Sequence, residues 1–530
     1  MLFQRQKTMT KKNKKIAVIG AGHNALVCAT YLAKAGFSVD VFESRSQVGG
    51  MIGKRKLGEE YSVPGAAHLL SHVDESVFKK LNLKKHGLEY SAQDLKTVSL
   101  NRDGNALIID GDEVDGDDIT MKEKKEFKEL NKRMVKLAGF LESTYGKKPP
   151  RLGSDDRGDM FSLASLGLNA RMMGADSMSD LLKFIAVNIY DVLNEFTDHD
   201  HLKGTLAFDA ILGNHMGPRT NNSVITYLHQ LTGGVNGKNG SHSMVSDGTG
   251  SFAKSLEEAA KKAGVNIHLN ASVESISFTD DLEITGLILK NGDAFDADII
   301  VSGIDPRSTF NCLVGPKKLE AGVVHKVNNV RMRGNAAKLH LALSSKPKFK
   351  GISEDQLGQR IVYSPSMEYL ERTFDFNKYG QISDDLPMEI TIPSIHDKTL
   401  APKGHHVLSA IVNYVPYHLK EGWENSKSRV LDQCINQLDG LAPGLKGLVI
   451  ESELLTPVDI EEEYGITGGQ WHHGELTFDQ FLMLRPVPKM AQYSSPISSL
   501  YMCGAGSHPG GGIMGTAGKN AAMEIMKRES

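Results

Sequence analysis

The stretch IAVIGAGHNALVCATYLAKAGFSVDVFE, Ile16 to Glu43, decides the fold. Its apolar run Ile16 to Ile19 reads as a buried strand, the glycines after it as a tight turn, and the residues from His23 to about Gly36 as a helix. A second β-type run, Ser38 to Phe42, ends on an acid. Gly20 permits the turn, and Gly22 lets the backbone approach a pyrophosphate, which then rests on the helix N-terminus opened by His23 and Asn24. Glu43 stands about 20 residues on, where a carboxylate accepts hydrogen bonds from ribose hydroxyls. Ala25 replaces the third glycine, a size that close helix–strand contact tolerates. A bare G-x-G-x-x-G string says little. A strand before it, a helix after it and an acid at that distance define a dinucleotide site.

The segment after Glu43 selects the dinucleotide. In place of a second crossover helix the chain runs Ser44-Arg45-Ser46-Gln47-Val48-Gly49-Gly50 and then a short β-like piece around Tyr61 to Leu70. An acid, an arginine and a Gly-Gly pair resemble the start of the glutathione-reductase and amine-oxidase superfamily, where this loop wraps the ADP half of FAD. Far downstream, the short strand Leu500 to Cys503 opens into Gly504-Ala505-Gly506-Ser507-His508-Pro509-Gly510-Gly511-Gly512, and a helix begins near Met514. A second glycine-rich turn at a helix N-terminus is a second site for an anion or dipole. No further strand comes after it to supply another ribose acid, so the expectation is one FAD held at both ends. The first motif takes the ADP; Gly504, Gly511, Gly512, Ile513 and Met514 take the ribityl chain and flavin ring. Val273, which opens a later β-run, is counted with the FAD-binding residues.

These paired ends are similar to those of the phytoene-desaturase-like flavoproteins, and within them to the pyridine nucleotide-disulphide oxidoreductase domain-containing protein 2 type. LNLKKHGLEY near Leu83, SDGTGSFAKSLEEAAKKAGVNI near Asp247 and GGQWHHGELTFDQFLMLRPVP near Gly469 extend the resemblance over nearly the whole chain. It implies an FAD-dependent oxidoreductase. Met514 stands where carotenoid desaturases carry proline, which argues against a carotenoid substrate and leaves the flavin intact.

Composition narrows the function classes. The 530 residues carry a net charge of −3 with acids and bases nearly balanced, so no nucleic-acid partner is implied. No apolar run reaches the roughly 20 residues of a spanning helix. Cys28, Cys312, Cys434 and Cys503 are far apart in sequence, without the C-x-x-C of thiol reductases, and read as buried reduced thiols. The clusters Asp198-His199-Asp200-His201 and His405-His406 lack a complete ligand set, so no metal is expected. The first fifteen residues are basic and lack the apolar core of a secretory signal. A cytoplasmic protein is expected, with room for peripheral membrane contact, a mitochondrial-type leader or an oligomer.

The expected fold class is α/β, α+β overall, with a discontinuous Rossmann-like FAD-binding domain (14–73, 247–303 and 486–530) and an inserted substrate domain (74–246 and 304–485). In the insert, Met121 to Tyr145 reads as a charged helix, and Ser179 to Phe196 as one amphipathic helix with Leu182, Phe184, Ile185, Ile189 and Leu193 on its apolar face. Gly233 to Gly240 reads as a loop and not as a nicotinamide-nucleotide site. The catalytic candidates are His472, His473 and Glu475, because Gly468 to Glu475 leads toward the C-terminal flavin strand and its imidazoles and carboxylate could move a proton while the flavin takes a hydride. Hydride transfer mainly requires a C–H held against flavin N5, so no obligatory nucleophile is expected. The expected function is oxidation of a C–C bond to C=C, or the reverse, on an apolar polyene- or lipid-like substrate. The alternatives are a flavin amine oxidase, a reduced-flavin isomerase, and a flavin-bound regulatory protein without turnover.

Overall fold

A computed structural model describes residues 14–151, 153–235 and 237–529. The basic leader up to residue 13 lies outside the described residues.

The opening motif folds as read. Strand Lys15–Ile19 pairs in parallel with Ser38–Phe42 on one side and with Ile299–Ser302 on the other. Asn266–His268 and Leu500–Met502 complete a five-stranded sheet of order 266–268, 38–42, 15–19, 299–302, 500–502. Three distant segments of sequence therefore form one sheet, each strand running into the same edge. Helix His23–Lys34 crosses the C-terminal helix Thr516–Arg528, and Gly518 makes that crossing possible: a Cβ there would lie 2.0 Å from the Asn24 carbonyl oxygen. The β-run opened by Val273 is the first strand, Val273–Phe278, of a meander whose second is Ile284–Leu289. A third strand, Ala294–Asp296, completes it.

An eight-stranded sheet forms the second layer, in the order 449–455, 336–343, 406–413, 388–391, 360–363, 97–100, 106–110, 113–115. One face packs on helix Lys427–Leu441. A helical layer between residues 121 and 230 covers part of the molecule, beginning with Met121–Tyr145, whose Thr120–Glu123 capping box fixes its start. Its charged face is exposed, while Phe127, Leu130, Met134, Leu137 and Leu141 form a buried stripe.

Three expectations change. The single helix Ser179 to Phe196 is two, Ala175–Ala186 and Ile189–Phe196, because the Asn188 side chain accepts the Asp191 amide at 2.8 Å and starts a new helix. Leu182, expected on the apolar face, is 65% exposed. Cys312 is exposed, whereas Cys28, Cys434 and Cys503 are buried, and all four are free. At the boundary placed at residue 73, packing simply continues: Val77, Phe78, Leu81, Leu83 and Leu88 belong to the core that flanks the dinucleotide sheet. Beyond residue 303, Phe310, Leu313, Val327 and Val330 do the same on its other side.

Candidate active site

One cavity runs from the carboxyl edge of the five-stranded sheet to the eight-stranded sheet. Gly20, Gly22, His23, Asn24, Ala25, Glu43, Ser44, Arg45, Gly49, Gly50, Val273, Gly504, Gly512 and Ile513 line it, as do His472 and His473. Gly511, Met514 and Glu475 do not.

The dinucleotide end is prepared for FAD in three ways. Gly22 has ordinary extended backbone, φ −67°, and a Cβ built on it meets no atom within 4 Å, so the position faces open cavity where a pyrophosphate belongs. No side chain caps the next helix, leaving its first amides available to an anion. The buried Asn24 Oδ1 has no partner among the described residues. Glu43 is braced for a ribose: Oε2 accepts the Ala21 amide at 2.7 Å and Oε1 accepts the Arg45 amide at 3.0 Å. Arg45 donates to Glu463 at 2.9 Å and lies 4.6 Å from the Tyr464 ring centre. Gly49 is glycine because helix Thr249–Lys262 packs on it; a Cβ there would lie 2.6 Å from Ala253 Cβ. These features fit FAD, with its ADP half against Gly22, Glu43 and Arg45.

The other end is organised by Arg485. Arg485 is 1% exposed, and its guanidinium has no carboxylate partner among the described residues. It donates instead to main-chain oxygens of Ala505 (3.0 and 2.8 Å), Gln480 (3.0 Å), Gly474 (3.1 Å), Glu475 (3.3 Å) and His472. One side chain thereby ties the Trp471–Gln480 loop to the C-terminal glycine turn. Burial pushes its pKa down to about 9, which leaves it charged at neutral pH.

Trp471 Nε1, a donor only, reaches His472 Nε2 at 3.0 Å, which places the His472 proton on Nδ1. That ring packs on Gly511, where a Cβ would lie 1.9 Å from His472 Nδ1. Gly511 therefore makes room for an imidazole of the protein itself, correcting the expectation that it touches the cofactor. Met514 packs in the helical core. His473 is held in the left-handed region, φ 56°, and its buried Nδ1 has no partner among the described residues. A residue strained in this way beside a cavity marks a position the fold goes out of its way to present. Glu475 is corrected too. It is buried behind the loop, where Arg333 Nε reaches Oε1 at 2.7 Å and Arg331 Nε reaches Oε2 at 3.1 Å.

Sequence reasoning missed much of the remaining wall, including His68, Leu69, Ser71, His72, Leu212, Gln230, His242, Asp305, Arg360, Glu389 and Ile411. They come from segments separated by tens to hundreds of residues, and no local motif marks them. Among the described residues no group of three or more His, Cys, Asp or Glu side chains could hold a metal ion. None of their helices is long and apolar enough to cross a membrane.

The cavity is surrounded by neutral imidazoles. Burial pushes His23, His68, His72 and His473 down to about 4, and His508 beneath the glycine turn likewise. Each is released on unfolding to its ordinary value near 6.5, so the unfolded chain binds more protons throughout that interval. Stability is therefore complete above pH 6.5 and is lost as pH falls toward 4. Each such group adds a slope of about 1.4 kcal/mol per pH unit within the window. The urea midpoint of the holoprotein is expected to drop steeply between pH 7 and pH 5; an unchanged midpoint would show that these rings are hydrated.

Comparison with known proteins agrees with this geometry. The family model described as flavin containing amine oxidoreductase matches residues 26–526. The chain is 29% identical to the rat pyridine nucleotide-disulfide oxidoreductase domain-containing protein 2, covering 96% of this chain and 93% of that one. It is 25% identical to a lycopene-forming phytoene desaturase of Pseudescherichia vulneris, covering 64% of this chain and 66% of the relative. A putrescine oxidase triple mutant has the same fold, with a TM-score of 0.61 at 15% identity, over 97% of this chain and 99% of that one. A parallel sheet assembled from both ends of the chain, with an open glycine cradle and a braced ribose acid at its edge, is thus accounted for: the chain belongs to the flavin-containing amine oxidoreductase family, and FAD is its cofactor.

Proposed function

We propose that the protein is an FAD-dependent dehydrogenase that removes hydrogen from a C–C unit of a substrate with an apolar body, leaving C=C. The observation that carries this reading is the continuity of the cavity, a single volume lined by the dinucleotide motif, by His472, His473 and Ile513, and by the apolar Leu69, Leu212, Ile411 and Trp471. Bound FAD would supply the hydride acceptor; the residues of the chain hold the C–H in place, exclude water and take the proton. The similarity to a phytoene desaturase supports C–C chemistry. The wall carries three large aromatic residues, Phe42 next to Glu43, Tyr464 against Arg45, and Trp471 next to His472; no pair of them comes from beside the histidines, and this supports desaturation over amine oxidation. A regulatory flavoprotein without turnover would need a closed flavin, and an extended cavity speaks against it.

His473 is the proton acceptor proposed, because its Nδ1 is unengaged while His472 is committed to Trp471 and Glu475 to two arginines. His473→Ala is expected to slow anaerobic flavin reduction by about 10²–10⁴-fold with FAD retained, the usual worth of a positioned proton acceptor. Glu475→Gln is expected to leave that rate within about threefold and to cost about 1–3 kcal/mol of stability, because its partners are partly exposed. Single-turnover reduction and urea unfolding on the two variants decide the assignment. Slowing by Glu475→Gln alone would reverse it. The function itself is tested by anaerobic bleaching of the flavin across lipid, polyene and amine panels, and bleaching by amines alone would overturn the desaturation reading.

A further inference from the structure

Helix Arg157–Met172 lies on the outside of the helical layer and has one buried residue, Asp159. It is held by its ends. In the first turn Asp159 accepts Arg151 Nε at 2.8 Å and Gln492 Nε2 at 2.7 Å, and just beyond the last turn Lys136 Nζ donates to the Met173 carbonyl at 2.8 Å. The outer face of such a helix is ordinarily polar. Here it carries Met160, Phe161, Ala164, Leu168 and Met172, whose spacing puts them on one side of the helix, all exposed. Phe161 and Met172 are 77% and 73% exposed. The next helix, Ala175–Ala186, starts after Gly174 and adds Met178 and Leu182 to the outside. Six of the 14 exposed large apolar side chains of the described residues fall within residues 160–182, so this is a local patch and not the general character of the surface.

The charges on this face have one sign. Arg157 opens the helix and Arg171 stands in its last turn, on the same side as the apolar residues and roughly 21 Å apart at 1.5 Å per residue. Both are exposed, and neither side chain has a partner among the described residues. Residues 160–175 contain no acid. Of the acids that flank the stretch, Asp156 caps the helix, Asp159 holds Arg151 and Asp180 holds Arg133; Asp155 and Asp176 lie outside it. A face with an arginine at each end and no acid on it is not its own complement. A second copy of the chain laid on it would offer these cations no carboxylate from the same stretch. A lipid surface with anionic headgroups does complement it: the apolar side chains enter the acyl boundary, and the guanidinium groups reach phosphate at either end.

We propose that the outer face of helix Arg157–Met172, extended by Met178 and Leu182, docks the protein on an anionic lipid bilayer, with the helix lying in the plane of the membrane surface. None of the described helices is long and apolar enough to cross a membrane, so the attachment is peripheral. It needs no flavin chemistry and does not depend on which reaction the cavity supports.

The test is co-sedimentation of the FAD-loaded full chain with phosphatidylcholine vesicles and with vesicles in which a third of the lipid is phosphatidylglycerol. The anionic vesicles are expected to bind the protein at least about tenfold more tightly, and added salt should weaken that binding. Phe161→Ser/Leu168→Ser should fold with full FAD content and an unchanged urea midpoint, because both side chains face water, and should bind the anionic vesicles at least about tenfold less. Arg157→Gln/Arg171→Gln should lose about tenfold on the same vesicles and little on the neutral ones. The basic leader is present in every protein compared, so a difference between them belongs to the helix face. No binding to the anionic vesicles, equal binding to both lipids, or binding unchanged in either double variant would each overturn the proposal. So would a parent dimer in light scattering that Phe161→Ser/Leu168→Ser converts to monomers, since that result gives the face to a second copy of the chain.

Discussion

Gly22→Val is expected to give a folded protein that carries no FAD. Gly22 adopts a backbone conformation open to any residue, and its Cβ would meet nothing of the protein within 4 Å. The isopropyl group therefore has space in the apoprotein, and the change in stability should stay within about 0.5 kcal/mol, as for substitutions that disturb no packed contact. The space it fills is where the pyrophosphate approaches the helix N-terminus, so the cofactor is excluded by overlap and not by unfolding. Gly20→Val, by contrast, should damage the fold itself, since that backbone has φ +86° and a Cβ would press Ile304 at 3.3 Å. Flavin content and urea midpoint on the two variants separate the roles. A Gly22→Val protein that keeps full flavin would place the pyrophosphate elsewhere.

Arg485→Met is expected to be the most destabilising single change at the flavin end. It removes the donors from main-chain oxygens of Ala505, His472, Gly474, Glu475 and Gln480, all within a buried region where water cannot replace them. The expected cost is on the order of 3–5 kcal/mol. Arg485→Lys retains the charge but not the planar fork, and should recover only part of the loss. Because the same side chain joins the histidine loop to the glycine turn, FAD affinity should fall with stability. Urea unfolding and flavin retention measure both; a midpoint unchanged in Arg485→Met would mean that the loop is held by its other contacts.

The dinucleotide half of the molecule could be read from sequence because its signals are local. Strand, glycine turn, helix and acid lie within Ile16 to Glu43, and the C-terminal strand and helix lie within Leu500 to Arg528. Gly511 misled because a glycine next to a cofactor loop looks the same whether it spares space for the cofactor or for His472. Glu475 looked reactive for want of its partners: Arg331 and Arg333 are more than 140 residues away in sequence. The polar face of the eight-stranded sheet, from which Arg360 and Glu389 reach the cavity, was hidden for a different reason. Alternation such as Lys338-Leu339-His340-Leu341 is the pattern of a strand with one face in water, and only the tertiary fold shows that both faces are buried. Asn188 broke a continuous amphipathic pattern by capping, a competition that hydrophobic periodicity does not register.

One FAD stretched between the two ends of the chain is the central claim, and the nucleotide released by heat from protein reconstituted with excess FAD tests it most directly. Chromatography and absorbance against protein concentration are predicted to give FAD at about one per chain; FMN, a nicotinamide nucleotide alone, or no nucleotide would contradict it.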